Sequence, residues 1–186
     1  MKSRGATTAA ILATVVALTV VALRLEGRVW WCACGGWSPW AGNIWSEHAS
    51  QHLFDPYSFT HVLHGFVFSG FLRWLFPKSS GEWRLLGAVV IEAIWEAAEN
   101  SPAVIDRYRT TTMALGYEGD SILNSVGDVL ACAVGVLLAQ RWGVRISLIV
   151  FVLVEGLLLV WIRDNLTLNV LMLIAPIEAI KQWQGG

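Results

Sequence analysis

The sequence predicts an all-α polytopic membrane protein, a transmembrane helical bundle, from three observations. Of its 186 residues, 55% are hydrophobic and 15% are charged, whereas a soluble domain carries about 25% charged residues. Mean hydropathy is +0.56, and the apolar residues fall into long runs. Five of the 11 tryptophans lie within residues 30–45, as aromatic side chains often do at a membrane interface. This composition excludes a soluble globular enzyme.

The charge balance limits the kinds of partner that the protein is expected to bind. Formal net charge is −1 and the chain has no basic tract, which argues against nucleic acid and leaves membrane lipids as the expected partners. Protein partners are not indicated by any pattern.

The three cysteines do not form a disulfide framework. Cys32 and Cys34 are separated by one residue, too close for a comfortable disulfide, and Cys132 lies in an apolar run. A C-x-C metal site needs further ligands, and no second cysteine pair supplies them. We therefore interpret all three as small apolar residues.

Six apolar runs predict one integral membrane domain over residues 1–186. A helix needs about 20 apolar residues to span a membrane. The predicted spans cover about 6–24, 58–76, 82–99, 120–140, 145–163 and 166–180. The last is short and contains Pro176, so it is either a sixth span or a half-inserted helix, and the predicted number is five to six. The first run lacks a cleavage site before Arg24, which favours an uncleaved anchor. Residues 25–57 are predicted to be a Trp-rich interfacial loop.

The distribution of Lys and Arg predicts a cytoplasmic N-terminus. With six spans, eight cationic residues, Lys2 and Arg4 among them, lie on the N-terminal side and five on the other, and the positive side is normally cytoplasmic. The loops 25–57 and 100–119 are then expected on the outer side.

Polar side chains in three of the runs form stripes at one predicted depth near the outer face. Each stripe has helical spacing of three or four residues. The stripes are His61 and His64; Glu92, Glu96 and Glu99; and Asp120, Asn124 and Asp128. Ionisable residues inside a membrane are costly and usually functional, so we expect a polar pocket where the three runs meet.

The residue types in this pocket suggest three roles. A histidine or carboxylate could act as general base; the catalytic candidates are His61, His64, Glu96, Glu99 and Asp120. Guanidinium groups bind phosphate oxygens in pairs; the substrate-binding candidates are Arg107, Arg109, Asn124 and Asp106. Imidazole and carboxylate together suit a divalent metal; the metal-ligand candidates are His61, His64 and Glu96, although no H-E-x-x-H signature is present.

Four segments carry a resemblance to a known family. They are SQHLFDPYSFTHVLHG at 50–65, EAAEN at 96–100, IDRYR at 105–109 and GDSILNSVGD at 119–128. On these segments the chain resembles a family of short bacterial multi-pass inner-membrane proteins classed as a domain of unknown function. The pattern from Asp120 through Asn124 to Gly127 is more distantly similar to the VanZ-like proteins, which are linked to glycopeptide resistance. The close resemblance implies a location in the bacterial cell inner membrane and carries no assigned activity.

Two functions remain open from the sequence. The first is a polar, outer-facing pocket that binds or processes the anionic headgroup of an envelope lipid. The alternative is a non-enzymatic assembly, structural or small transport protein, in which the polar cluster is hydrogen-bonding glue between helices and the arginines only anchor helix ends.

Overall fold

The chain folds into helices joined by one long and several short connections. In chain order these are α1 (Lys2–Leu25), α2 (Ser58–Leu75), α3 (Gly81–Glu99), α4 (Pro102–Thr111), α5 (Ile122–Ile162), α6 (Leu166–Ile174) and α7 (Glu178–Gly185). The structure, a computed structural model, describes residues 2–112, 114 and 116–185, without the side chains of residues 2–4. Within these residues the β structure is one isolated bridge, between Trp40 and Phe54. The all-α prediction is confirmed; the side chains of Lys2 and Arg4, used for the predicted orientation, lie outside the described residues.

Polar caps fix where three helices begin. The side chains of Ser80, Ser121 and Asn165 accept hydrogen bonds from the first-turn amides of α3, α5 and α6, which would otherwise have no partner. Helix α4 begins at Pro102, where a missing N–H costs nothing.

The predicted spans 120–140 and 145–163 form one element, α5, which is broken at Gly143. The backbone there has φ 73° and ψ 175°, a conformation that glycine adopts without steric cost. Leu138, before the break, and Val150, after it, pack on the same apolar cluster, which includes Leu63 and Phe66 of α2. The break therefore lets both halves of α5 contact this cluster.

The predicted run 166–180 is not one continuous helix. Helix α6 ends at Ile174 and Pro176 separates it from α7. Nine residues of helix rise about 13.5 Å, less than half of the roughly 30 Å hydrocarbon core. Glu155, from the second half of α5, accepts hydrogen bonds from the amides of Leu166 (2.9 Å) and Thr167 (3.0 Å) and so holds the start of α6 against α5.

Two helical stretches are long and apolar enough to cross a membrane: Gly5–Leu25 and Ile122–Ile162. Only 11% and 17% of their most apolar windows are buried, so their hydrophobic side chains face outward instead of forming a core. Length and composition do not select the predicted spans at α2 and α3, because these helices carry the histidines and glutamates of the polar stripes.

Small residues let α2 and α5 approach closely. A Cβ atom built on Gly65 would lie 2.2 Å from the Cys132 carbonyl oxygen, and one built on Gly135 would lie 2.1 Å from the Val62 carbonyl oxygen. Glycine is therefore required at both crossing positions. The backbone that approaches Gly127 is that of Leu53, in the long loop, at 2.1 Å from such a Cβ.

The loop 26–57, helix α4 and the chain after α5 gather at one end of the helices. Two backbone hydrogen bonds join the loop to the start of α5. The Ser121 amide donates to the Ser50 carbonyl (2.9 Å), and the Ile122 amide donates to the Val29 carbonyl (2.8 Å). The Lys181 ammonium donates to the Thr110 carbonyl at 2.7 Å. The polar stripes of α2, α3 and α5 open toward this end.

Candidate functional site

Two histidines of α2 lie against the acidic face of α3. His64 Nδ1 is 3.0 Å from Glu92 Oε2, and His61 Nδ1 forms a very short contact with Glu92 Oε1. His61 Nδ1 is also 3.4 Å from Glu96 Oε1, and its Nε2 is 3.8 Å from Asp128 Oδ2 on α5. His61, Glu92 and Glu96 are buried, the two glutamates completely. The His61 imidazole is thus surrounded by three buried carboxylates, those of Glu92, Glu96 and Asp128. Together with the neighbouring His64 and Glu99, these residues form the helical cluster (His61, His64, Glu92, Glu96, Glu99 and Asp128).

Several carboxylate oxygens in this cluster are buried without a hydrogen-bond partner among the described residues. They are both Oε atoms of Glu96, Oε2 of Glu99 and Oδ1 of Asp128. Buried polar atoms are nearly always satisfied, and an unpaired buried carboxylate is expensive. These oxygens therefore need a cation, a proton or ordered water.

Asp120 and Asn124 lie beside the helical cluster but are already fully engaged. Asn100 Nδ2 and the Tyr117 hydroxyl donate to the two Asp120 oxygens at 3.0 and 2.9 Å. Asn124 Nδ2 donates to the His52 carbonyl at 2.8 Å. Their contacts join α3, α5 and the long loop, the interhelical hydrogen bonding that the alternative function requires.

The predicted arginines lie elsewhere. Arg107 Nε donates to the Leu173 carbonyl at 2.8 Å, and Arg109 Nε donates to the Tyr117 carbonyl. Both guanidinium groups thus hold backbone together, and neither contacts a carboxylate of the helical cluster in the described part of the chain. Asp106 is exposed on α4.

The helical cluster forms part of the wall of a cavity of about 920 Å³. His61, His64, Glu99 and Asp128 line it together with residues of the long loop. It lies within the size range of small-molecule sites, roughly 300–1,000 Å³. Two arginines also line it, Arg28 and Arg163, and Arg28 Nε is buried without a partner among the described residues.

Polar groups at the cavity rim have shifted pKa values. Burial raises the pKa of Asp164 to about 6, and the Tyr57 hydroxyl donates to Asp164 Oδ2 at 3.1 Å. Burial, reinforced by the Glu99 carboxylate, raises the pKa of Tyr108, whose hydroxyl donates to Glu99 Oε1 at 2.7 Å. Burial likewise raises the pKa of Tyr117, with Asp120 as the next cause. These tyrosines remain neutral hydrogen-bond donors at physiological pH.

Two ligand sets in the helical cluster could hold a metal ion. One atom from each residue lies within 4.8 Å of the others in the sets His61, His64 and Glu92, and His61, Glu96 and Glu99. The metal-ligand candidates predicted from the sequence were His61, His64 and Glu96. They did not include Glu92, which contacts both histidines. The spacing of four residues between Glu92 and Glu96 is the sequence signal that could have added Glu92 to this set.

The fold and site define an all-α protein with two helices apolar enough to cross a membrane, built around a buried histidine–carboxylate cluster. The chain belongs to the family described as "Protein of unknown function (DUF2585)", whose model matches residues 23–186. This confirms the family resemblance given by the four sequence segments.

Its relatives are similar over nearly their full length. A UPF0314 protein of Sphingopyxis alaskensis is 49% identical, with 95% of this chain and 94% of the relative covered. One of Rhizobium meliloti is 48% identical, covering 92% and 87%, and one of Brucella anthropi is 43% identical, covering 96% and 90%. No solved structure matches. The distant similarity to VanZ-like proteins stays a prediction.

Proposed function

We propose that this chain is a multi-pass protein of the bacterial inner membrane that binds a divalent cation in the helical cluster and, through it, the anionic headgroup of an envelope lipid. The observation that carries the proposal is the excess of buried carboxylates around His61, with both Glu96 oxygens lacking a hydrogen-bond partner in the described part of the chain.

The proposed topology has five crossings: α1, α2, α3 and the two halves of α5. The N-terminus is cytoplasmic, and the loop 26–57, α4, α6 and α7 share the outer side. Support comes from the bonds that join these segments at one end. The Lys and Arg bias falls to seven against six in this topology, so the orientation rests on an experiment: a reporter fused at Gly42 is expected outside, and a cytoplasmic signal would overturn it.

Electrostatics determines the order of binding. A phosphate would be repelled by a cavity wall carrying Glu99 and Asp128, and the repulsion is strong where water is scarce. A divalent cation bound first neutralises the charge of two such carboxylates and offers open coordination positions to phosphate oxygens. Carboxylate ligands suit hard cations such as Mg²⁺ and Mn²⁺, and imidazole extends the range to Zn²⁺.

A cation at the cavity wall makes Arg28 the better-placed phosphate ligand. Its Nη atoms donate to the carbonyls of Glu118 and Glu26, and its buried Nε has no hydrogen-bond partner among the described residues. Arg107 and Arg109, predicted to bind phosphate, instead hold the cavity rim through the carbonyls of Leu173 and Tyr117.

The test uses Mn²⁺ as the probe on full-length protein purified in detergent. Wild-type protein is expected to bind Mn²⁺, measured by electron paramagnetic resonance, and Glu96→Gln to bind it at least about tenfold more weakly, since one anionic ligand is lost. Glu82→Gln is the matched control, because Glu82 is exposed at the opposite end of α3. Equal binding by wild type and Glu96→Gln, or no binding by either, would overturn the metal site.

A second arm tests the lipid. Phosphatidylglycerol and phosphatidylcholine are offered in mixed micelles, and lipid retained by the purified protein is measured by mass spectrometry. We expect phosphatidylglycerol to be retained preferentially with Mn²⁺ and lost with EDTA. Retention that ignores both EDTA and headgroup charge would support the alternative, in which the contacts of Asn100, Asp120 and Asn124 are structural.

A further inference from the structure

The long loop between α1 and α2 brings together four metal-ligating side chains from a stretch of only 21 residues. Cys32, Cys34, His48 and His52 each present one ligand atom, and these four atoms all lie within 4.8 Å of one another. Cys32 Sγ is 3.3 Å from His48 Nδ1, and Cys34 Sγ is 3.6 Å from His52 Nε2. The two histidines supply the further ligands that a C-x-C metal site needs, in place of a second cysteine pair.

The groups around these four side chains hold them in a ligand-ready state. His52 Nδ1 is 2.5 Å from the Ser38 carbonyl oxygen, which can only accept, so Nδ1 carries the proton and the Nε2 lone pair faces Cys34. This is how metal-ligating histidines are usually oriented by a second hydrogen bond. The amides of Cys34 and Gly36 lie 3.4 Å from the sulfurs of Cys32 and Cys34, respectively, where they stabilise negative sulfur.

The spacing of the ligand atoms fits a tetrahedral zinc ion. With Zn–S near 2.3 Å and Zn–N near 2.0–2.1 Å, a sulfur and a nitrogen of one tetrahedron are about 3.5 Å apart. The observed separations of 3.3 and 3.6 Å lie on either side of that value. Two thiolates with two imidazoles form a donor set typical of zinc.

We propose that Cys32, Cys34, His48 and His52 form a structural zinc site, separate from the helical cluster. All four coordination positions come from the protein, so no position is open for substrate, as in structural rather than catalytic zinc sites. Zinc would close the loop 32–52 on itself. The loop in turn packs on α5, where Asn124 donates to the His52 carbonyl, and its residues Cys32, Cys34 and His48 line the large cavity. The zinc ion would therefore fix the shape of the cavity wall and would not itself bind a ligand in the cavity.

Cobalt substitution tests this site in the full-length protein. Metal is removed with a chelator and Co²⁺ is added; wild-type protein is expected to show thiolate-to-cobalt charge transfer and the visible bands of tetrahedral cobalt, and Zn²⁺ should abolish both. Cys34→Ser should lose about half of the charge-transfer intensity, because Cys32 remains as a thiolate ligand, and His52→Ala should lose the tetrahedral bands. Cys132→Ala is the matched cysteine control and should keep both signals, because Cys132 lies on α5. The helical cluster has no thiolate ligand in its two candidate sets, so Co²⁺ bound there gives no such band.

A measurement on unmodified protein covers the case in which a variant fails to fold. Zn²⁺ should protect Cys32 and Cys34 from alkylation by iodoacetamide several-fold relative to EDTA-treated protein, as read by peptide mass spectrometry, since a coordinated thiolate is a poor nucleophile. The absence of a charge-transfer band in wild type, its persistence at full intensity in Cys34→Ser, or equal alkylation with and without zinc would each overturn the site. Failure of Mn²⁺ to bind the helical cluster would leave it standing.

Discussion

The two clusters of potential ligands differ in how the chain builds them. The helical cluster draws His61, Glu96 and Asp128 from three helices, so its geometry depends on helix packing across 67 residues of sequence. The loop cluster, Cys32, Cys34, His48 and His52, comes from one connection and is held by short-range hydrogen bonds. Among the described residues, the helical cluster has carboxylate oxygens without a hydrogen-bond partner and borders the cavity. The four side chains of the loop cluster would by themselves complete a tetrahedral coordination sphere. This difference supports a ligand-binding role for the helical cluster and a role for the loop cluster in shaping the cavity wall.

The largest expected effect is on the helical cluster. His61→Ala removes the imidazole that Glu92, Glu96 and Asp128 share, leaving buried charge uncompensated, and should lower the free energy of unfolding by about 3–5 kcal/mol. Chelator-treated protein in detergent is unfolded chemically to measure this. In the same metal-free protein, His48→Ala should cost only about 1 kcal/mol, since half-buried His48 contacts a single thiol.

A double-mutant cycle sharpens this result. Glu92→Ala removes the same contact from the other side, so the double variant with His61→Ala should lose less than the two single losses together. Strict additivity, or equal costs for His61→Ala and His48→Ala, would contradict the proposed difference between the clusters.

Sequence reasoning found the helical cluster because helical periodicity carries the information. The spacing of His61 from His64, and of Glu96 from Glu99, places each pair on one face whatever the rest of the chain does. The break at Gly143 falls in the gap between the predicted spans 120–140 and 145–163, which the structure joins into the single element α5.

The loop cluster and the arginines could not be found in the same way. A loop has no period, so nothing in the order of residues states that Cys34 folds back on His52. That contact depends on backbone turns such as the one at Gly35, with φ 73°. Arg107 and Arg109 were assigned to phosphate because guanidinium groups bind phosphate oxygens in pairs. In the structure, Arg107 Nε donates to Leu173, in a segment that folds back onto α4, and Arg109 Nε donates to Tyr117, just after α4.

A pH experiment provides a reference outside both clusters. The folded-state pKa of Asp164 is about 6, raised from 3.8 mainly by burial. Between these values the folded protein holds a proton that the unfolded chain releases, so stability should fall as pH rises from about 4 to 6. The difference between the folded and unfolded pKa of Asp164 corresponds to roughly 3 kcal/mol in the free energy of unfolding. Asp164→Asn should remove this slope in chemical unfolding curves.

The same variant also tests whether the loop cluster is independent. Asp164→Asn should leave the cobalt charge-transfer signal and its pH dependence unchanged, because Asp164 contacts Tyr57 and Asn165 rather than any of the four loop ligands. Parallel stability profiles for wild type and Asp164→Asn would show that burial of Asp164 does not control its titration.

The smallest expected effects come from paired glycine substitutions. Gly65→Ala would force α2 away from the Cys132 carbonyl, and Gly127→Ala would force the Leu53 carbonyl away from α5. Overpacking of this kind costs about 1–3 kcal/mol, so both variants should unfold more easily. Gly70→Ala and Gly156→Ala are the controls, since a Cβ at either position meets nothing within 4 Å, and alanine favours a helix by about 0.5–1 kcal/mol.

The two glycine variants should differ in which ligand set they damage. Gly127→Ala displaces Leu53, the neighbour of His52, and should weaken Co²⁺ binding at the loop cluster while Mn²⁺ binding changes little. Gly65→Ala shifts α2 and should weaken Mn²⁺ binding at the helical cluster while the cobalt spectrum is kept. The reasons are positional: Gly65 follows the ligand candidate His64 directly, whereas Gly127 lies under the loop, and its neighbour Asp128 belongs to neither candidate ligand set of the helical cluster. If either substitution weakens both metals equally, the two clusters form one cooperative unit, and the division between a shaping site and a binding site is wrong.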